Sequence, residues 1–172
     1  MRASDPKRPS KGAVSLERLP LAFREITAAD AAALFDVRTR TRENSYTLEE
    51  LEKLGITVES VVDKLANSHK GWLCTDADRV VGFCMADCST GELWVVAVLP
   101  EYEGEGIGNR LMGLAEDWLW ASGCTRAWLT TDIDTKLRAY GFYRQRGWTD
   151  WKVENGLRWM ELCAPATPVQ HR

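Results

Sequence analysis

The chain has 172 residues, of which 45% are apolar and 27% are charged. This length and composition predict one soluble globular domain with a substantial hydrophobic core. The histidines are His69 and His171, so a histidine-based zinc centre or a Ser-His-Asp triad is not expected. The five cysteines form no CxxC pair and lie mostly in apolar runs, which favours a reducing, cytoplasmic compartment and no metal site.

The net charge of -3 is unevenly distributed along the chain. Residues 1–20 carry five basic and two acidic side chains and no aromatic ring, which predicts a disordered leader rather than a nucleic-acid-binding arm. No apolar run reaches the roughly 18 residues of a membrane span, so no membrane partner is expected. The folded domain is predicted at 21–163, with a short tail at 164–172.

The first part of this domain is predicted to be one strand followed by helices. Residues 21–26 show the alternation of a strand. Helices that each begin with a threonine N-cap are predicted at 28–37, from Thr47 to Gly55, and from Thr57 to about residue 68. The charged segment 38–46 is predicted to be a loop.

The remainder of the domain is predicted to alternate strands with two helices. Three apolar runs predict a meander at 71–75, 80–87 and 92–99, and the last of them is apolar enough for a central strand covered on both faces. A helix from Ile107 to Leu119 and a strand at 125–131 then predict a βαβ unit with parallel pairing. A helix at about 135–146 and a hairpin of strands 148–153 and 157–163, turning at Asn155-Gly156, complete the domain.

The segment Glu103-Gly-Glu-Gly-Ile-Gly108 lies between a predicted strand and a predicted helix. Glycines allow the backbone to approach an anion closely, and the free N–H groups and dipole of a helix N-terminus favour negative charge. The segment is therefore interpreted as a pyrophosphate cradle, with a glycine-rich connector as the alternative. It has neither the Gly-Lys-Ser/Thr ending of a P-loop nor the position of a Rossmann fingerprint.

Two segments together resemble a known family. Val98-Leu-Pro-Glu-Tyr-Glu-Gly-Glu-Gly-Ile-Gly-Asn-Arg-Leu-Met112 is similar to motif A of the GNAT superfamily of N-acetyltransferases, and Arg138-Ala-Tyr-Gly-Phe-Tyr-Arg-Gln-Arg-Gly-Trp148 is similar to its motif B. In element order the resemblance extends over about 21–163. It implies an α/β fold, with a central mixed sheet of about six or seven strands, about four flanking helices, and splayed strands four and five.

The resemblance also implies a binding site for acetyl-CoA as the acetyl donor. Its backbone partners for pantetheine would be Val96, Ala97 and Val98. The residues around the phosphates would be Glu103, Gly104, Glu105, Gly106, Ile107, Gly108, Asn109 and Arg110. Glu103 and Glu105 depart from the neutral or basic residues usual there, and the alternative for both acids is interaction with the positive helix end. Lys136 replaces a frequent motif B asparagine and could approach a phosphate as a point charge.

Acetyl transfer needs a proton acceptor for the amine and a proton donor for the leaving sulfur. The resemblance assigns Tyr143 as general acid and Glu92 as general base acting through water. The alternatives are a core aromatic for Tyr143 and a solvated strand end for Glu92. Candidate acceptor-binding residues are Arg38, Arg42, Glu43, Asn44, Tyr46 and Trp151. Arg38, Arg40 and Arg42 could clamp a carboxylate or phosphate of the acceptor, or form a solvated charged face.

The resulting hypothesis is an N-acetyltransferase that transfers the acetyl group of acetyl-CoA directly to a primary amine of a small molecule. The alternatives are a protein or peptide N-acetyltransferase with an open acceptor groove, and a catalytically silent acyl-CoA-binding module. The expected partner is thus a small-molecule amine or a protein or peptide amine, and neither nucleic acid nor a membrane. Assembly as a homodimer is left open.

Overall fold

A computed structural model describes residues 20–166, in which one seven-stranded mixed sheet is flanked by five α-helices. The predicted leader, apart from Pro20, and the tail beyond residue 166 lie outside the described residues. In chain order the elements are β1 Ala22–Glu25, α1 Ala31–Arg38, α2 Leu48–Lys53, α3 Val58–Ala66, β2 His69–Asp76, β3 Arg79–Asp87, β4 Glu92–Val98, α4 Ile107–Ala121, β5 Arg126–Asp132, α5 Arg138–Gln145, β6 Thr149–Glu154 and β7 Leu157–Cys163. Short 3-10 helices lie at Ala28–Asp30 and Pro100–Tyr102.

Local hydrogen bonds explain where the helices begin. The Thr47 hydroxyl accepts from the Glu50 backbone N–H at 3.2 Å, while the Glu50 carboxylate accepts from the Thr47 N–H at 2.7 Å, which confirms the predicted capping box. The first predicted helix starts with the 3-10 turn, and α1 proper begins at Ala31. Helix α5 begins three residues later than predicted, because the Asp134 carboxylate accepts from the Lys136 N–H at 2.9 Å and holds that segment in a turn.

The strand order is β1-β2-β3-β4-β5-β7-β6, and all neighbours are antiparallel except β4 and β5. These two strands pair at a single position, Glu92 with Trp128, and separate beyond it. Across β3, Ala86 pairs with Leu93 and Met85 with Val95, so Trp94 is the extra residue of a β-bulge. A bulge bends its strand and increases the local twist. The predicted splay of the fourth and fifth strands is confirmed, and it starts at this bulge.

The core lies between the sheet and the helices, with α1 and α4 both in contact with β4 as expected for a central strand. Leu73, Met85, Leu111 and Leu119 are among its fully buried side chains. His69 is the first residue of β2 and packs edge-on against a tryptophan ring, with 5.7 Å between the ring centroids. Within residues 20–166, no helix is both long enough and apolar enough to cross a bilayer.

Candidate active site

The first component of the site is an unpaired edge of β4. Toward β3, the Leu99 N–H donates to the Val81 carbonyl at 2.9 Å, and the Ala97 carbonyl lies against Gly82. Because backbone polar groups alternate sides along a strand, those of Val96 and Val98 point away from β3, toward β5. Among the described residues, β5 pairs with β4 only at Glu92, the first residue of β4. The backbone N–H and carbonyl groups of Val96 and Val98 therefore have no strand partner. They form an edge to which an extended amide-containing chain can add.

The second component is the glycine cradle between β4 and α4. Gly104 and Gly106 both have a φ of 80°, a left-handed conformation that favours glycine, and Gly106 is the N-cap of α4. The first intrahelical bond runs from the Arg110 N–H to the Gly106 carbonyl at 3.1 Å, so the N–H groups of Ile107, Gly108 and Asn109 precede it. A Cβ added at Gly104 or Gly106 would meet no atom within 4 Å. The cradle is therefore open and lined by N–H donors, as an anion site requires.

The charge at the mouth of the cradle is set by an ion-pair cluster. The Glu103 carboxylate pairs with the Arg138 guanidinium and, at 3.5 Å, with Nε of Arg42. Glu105 is exposed. The unexpected acid at position 103 thus holds two cations beside the cradle instead of presenting an unopposed negative charge.

The two components open into one cleft of about 920 Å³. Of the residues predicted from the sequence, the cleft is lined by Arg38, Arg42, Glu43, Asn44, Tyr46, Val96, Ala97, Val98, Glu103, Gly104, Gly106, Ile107, Gly108, Asn109 and Tyr143. The predicted residues outside its lining are Glu92, Glu105, Arg110, Lys136 and Trp151. The structure therefore brings most of the predicted donor and acceptor residues to one site.

Tyr143 is buried on α5 and lines the cleft. Its ring packs against Phe142 and Trp148, with centroid distances of 5.5 and 6.3 Å. Burial raises the pKa of the Tyr143 phenol to about 12, against a smaller opposite effect from the positive charge of Arg38. The hydroxyl is therefore protonated at neutral pH and available as a donor.

Glu92 lies at the single pairing position of β4 with β5, outside the cleft lining but next to Leu93 and Trp94, which do line it. Its pKa is raised, mainly by burial and further by the negative charge of Asp87, while Lys64 acts in the opposite direction. A carboxylate with a raised pKa is a better proton acceptor than an ordinary surface glutamate. Because Glu92 does not line the cleft, it can take a proton from a group in the cleft only through an intervening water.

The other predicted residues outside the lining have local contacts. The Arg110 guanidinium lies 4.2 Å from the centroid of the Phe23 ring, and Arg126 lies 4.3 Å from that of Trp151. Lys136 is exposed in the turn before α5. Their predicted roles in binding phosphates or the acceptor therefore stay predictions.

The segment between α1 and α2 lines the cleft and is hydrogen-bonded to α5. The Glu43 carboxylate accepts hydrogen bonds from the backbone N–H groups of Arg138 at 3.0 Å and Ala139 at 3.4 Å, and so caps the N-terminus of α5. Arg38 donates to the Asn44 carbonyl at 2.5 Å. No local pattern in the sequence indicates this bridge, since it joins residues 95 positions apart.

Two residues of the cleft were missed by reasoning from sequence. Arg138 pairs with Glu103, and Asp132 lines the cleft at the end of β5. A signal for the first was available, because an unusual acid in motif A coincides with an arginine at the start of motif B. No comparable signal marked Asp132.

Splayed parallel strands whose free edge leads into a glycine cradle define an α/β protein suited to an extended, phosphate-bearing ligand. The family model "Acetyltransferase (GNAT) family" matches residues 31–148, well over half of the sequence, and the chain belongs to this family of acetyltransferases.

Solved structures with the same fold include three acetyltransferases, each no more than 21% identical to this chain. PaiA N-acetyltransferase from Thermoplasma acidophilum, in complex with coenzyme A, is 18% identical with a TM-score of 0.74, covering 85% of this chain and 100% of its own. The ribosomal-protein-S18-alanine N-acetyltransferase from Escherichia coli is 14% identical with a TM-score of 0.68, covering 89% and 99%. A GNAT acetyltransferase from Streptococcus pneumoniae is 21% identical with a TM-score of 0.62, covering 84% and 100%. At these identities the likeness shows the fold alone.

Proposed function

We propose that this protein transfers the acetyl group of acetyl-CoA directly to a primary amine of a small molecule. The observation that carries the proposal is the unpaired edge of β4 running into the open cradle at the start of α4. Pantetheine is an extended chain with amide groups, and it joins a diphosphate, so the edge and the cradle match its two parts in order. Arg42 and Arg138, which Glu103 holds beside the cradle, supply guanidinium groups that suit the same ligand. Coenzyme A in the complex of PaiA N-acetyltransferase supports the assignment.

Acetyl-CoA supplies a thioester whose carbonyl carbon is attacked by the amine. For this chemistry the N–H groups of Val96 and Val98 orient the donor from the β4 edge, and the N–H groups of the cradle hold the phosphates. Lys136 and Arg110 are further candidates for phosphate contacts, provided that their side chains reorient.

Tyr143 is the proposed proton donor to the leaving sulfur. Its phenol has a pKa of about 12, whereas a thiol resembling cysteine has a pKa of about 8.5, so complete proton transfer is uphill by roughly 5 kcal/mol. The hydroxyl is thus expected to act first as a hydrogen-bond donor to the sulfur as negative charge develops, with proton transfer late. The positive charge of Arg38 lowers the pKa of the phenol, and the value of about 12 already includes this effect.

Glu92 is the proposed base, taking the proton of the acceptor ammonium through water. An amine with a pKa near ~10 is mostly protonated at neutral pH and cannot attack until it loses that proton. The raised pKa of Glu92 supports this role. A cysteine nucleophile is disfavoured at Cys84, where burial raises the pKa of the thiol to about 12.

A small acceptor is favoured by the way Glu43 fastens the segment after α1 to α5. The bridge joins residues that line the cleft and restrains this segment, whereas a protein or peptide acceptor, such as that named for the Escherichia coli relative, calls for an open groove. Arg42, Asn44 and Tyr46 lie in the same segment and line the cleft. Trp151 lies outside it and would contact only a larger acceptor.

The proposal is tested by measuring thiol release from acetyl-CoA over a panel of primary amines, after calorimetry has established donor binding. Release that depends on an amine, with acetylated amine detected by mass spectrometry, is the expected result. Binding of acetyl-CoA without release on any amine would instead identify a silent acyl-CoA-binding module. Release only with peptides would identify the protein-acetylating alternative.

A further inference from the structure

Three closely spaced arginines after α1 have different environments. Arg40 pairs with Asp36 at 3.0 Å, one helical turn away and outside the cleft lining, and Arg42 belongs to the Glu103 cluster. Arg38 lines the cleft and is half-buried, yet no carboxylate among residues 20–166 forms an ion pair with it. The structure thus separates three residues that the sequence alone could not distinguish.

The Arg38 guanidinium is held in a fixed orientation by its neighbours. Its Nη1 donates to the Asn44 carbonyl at 2.5 Å and contacts the Thr41 hydroxyl at 3.5 Å, and its Cζ lies 4.6 Å from the centroid of the Tyr46 ring. Within the described part of the chain, Nε and Nη2 have no hydrogen-bond partner, and neither is enclosed from solvent. These two atoms form the side-on edge of the guanidinium, which matches two oxygens of one oxyanion.

A half-buried cation without a counter-ion is energetically unfavourable, and burial lowers the pKa of Arg38 accordingly. Three carboxylates line the cleft, and each is engaged elsewhere. Glu43 caps α5, Glu103 holds Arg42 and Arg138, and Asp132 accepts from the Asp134 N–H at 2.8 Å. The Arg38 guanidinium is therefore an oriented cation that a ligand can pair with, in the part of the cleft lined by the predicted acceptor-binding residues.

We propose that the acceptor amine also carries an oxyanion group, a carboxylate or a phosphate, which binds Nε and Nη2 of Arg38. This inference rests on the proposed transferase function and narrows the acceptor from any primary amine to an anionic one. Arg38 and Tyr143 line the same cleft and interact electrostatically. An acceptor anchored at Arg38 therefore has its amine within the part of the cleft that holds the proton donor.

The test compares matched acceptors that differ only in the oxyanion. Thiol release is measured for amino acids against their amides and for aminoalkyl phosphates against the corresponding amino alcohols, with spermidine as a polycation. Each pair is also titrated calorimetrically into the complex with CoA, which detects acceptor binding without turnover. We expect kcat/KM at least tenfold higher for the anionic member of one series, and the two series distinguish carboxylate from phosphate.

Arg38→Gln is expected to bring the ratio of kcat/KM between the anionic and the neutral acceptor close to one. Arg38→Lys should retain part of this preference, because the positive charge remains but the planar guanidinium is lost. Arg40→Gln is the matched control, and it should leave the ratio unchanged. An Arg38→Gln variant that slows all acceptors equally would show a purely structural role and overturn the proposal. So would an altered pH profile with an unchanged ratio, since Arg38 would then act through Tyr143.

The outcomes also separate this inference from the proposed function. Equal or better use of neutral amines or spermidine by the unmodified protein would overturn the inference and leave the transferase function standing. Absence of release from every amine, despite acetyl-CoA binding, would contradict the transferase function and the inference with it.

Discussion

Glu103 provides a sharp test of the donor site, because simple electrostatics and the observed ion pairs predict opposite results. An acid beside a diphosphate should weaken binding, so Glu103→Gln should strengthen it. In the structure, however, Glu103 holds Arg42 and Arg138 beside the cradle. We therefore predict that Glu103→Gln weakens the binding of CoA.

The magnitude follows from the exposure of the three side chains. Arg42 and Arg138 are 61% and 58% exposed and Glu103 is 20% exposed. Exposed ion pairs contribute about 0.2–1 kcal/mol, and solvent screening places these two in the lower part of that range. In the variant the two arginine side chains are no longer held in place, so each must be ordered when CoA binds, at a cost of roughly 0.5–1.5 kcal/mol. Removing the repulsion between Glu103 and the diphosphate offsets part of this cost. The net loss of binding free energy is about 1 kcal/mol, which corresponds to a roughly fivefold weaker Kd.

The assay is calorimetric titration with CoA at low and at high salt. Glu105→Gln is the matched control, since it removes the same charge from an exposed position of the same loop. It should leave the affinity unchanged or raise it by up to about twofold, and added salt should reduce the difference between the variants. Equal or tighter binding by Glu103→Gln would refute the view that Glu103 positions the two arginines.

Three further predictions concern catalysis and the fold. Tyr143→Phe should lower kcat by at least ~10-fold with CoA binding nearly intact in calorimetry, and unchanged turnover would remove the hydroxyl from the mechanism. Because the pKa of Glu92 is raised, the loss of activity at acidic pH should set in at a higher pH than an ordinary glutamate would cause. In a pH–rate profile, Glu92→Gln should be slow and should lack this acidic limb. Persistence of the acidic limb in the variant would exclude Glu92 as its origin. Glu43→Ala removes the cap of α5 and should cost about 1 kcal/mol, or roughly 2–4 °C in Tm by calorimetry. The control Glu49→Ala removes only an exposed ion pair with Lys53 and should lower Tm by clearly less; equal effects would argue against the cap.

Much of the fold was predictable because its signals are local. The Thr47 capping box, the glycine at the end of α2 and the Asn155-Gly156 turn each act within a few residues, and Asn155 and Gly156 have the positive φ values that such a hairpin turn requires. The cradle was predictable for the same reason, since Gly104 and Gly106 lie just before α4 and Gly106 is its N-cap. Patterns of this kind specify an element without reference to the rest of the chain.

The features that define the site depend instead on contacts between distant segments. The bulge at Trp94 is visible only in the pairing with β3, and the role of Glu103 depends on Arg138, 35 positions later. Arg38 and Arg40 are equivalent in sequence, but α1 directs one into the cleft and leaves the other paired with Asp36. The sequence could therefore predict the glycine cradle and the helix after it but could not distinguish the charges that surround them.

The central claim is that the free edge of β4 and the cradle form one binding site for acetyl-CoA. Amide hydrogen exchange measured by mass spectrometry, with and without acetyl-CoA, tests it most directly because it reports on these N–H groups themselves. Slower exchange confined mainly to 96–109, with β2 unchanged, is the predicted result. Unchanged exchange in 96–109 at saturating acetyl-CoA, or protection located elsewhere in the chain, would contradict it.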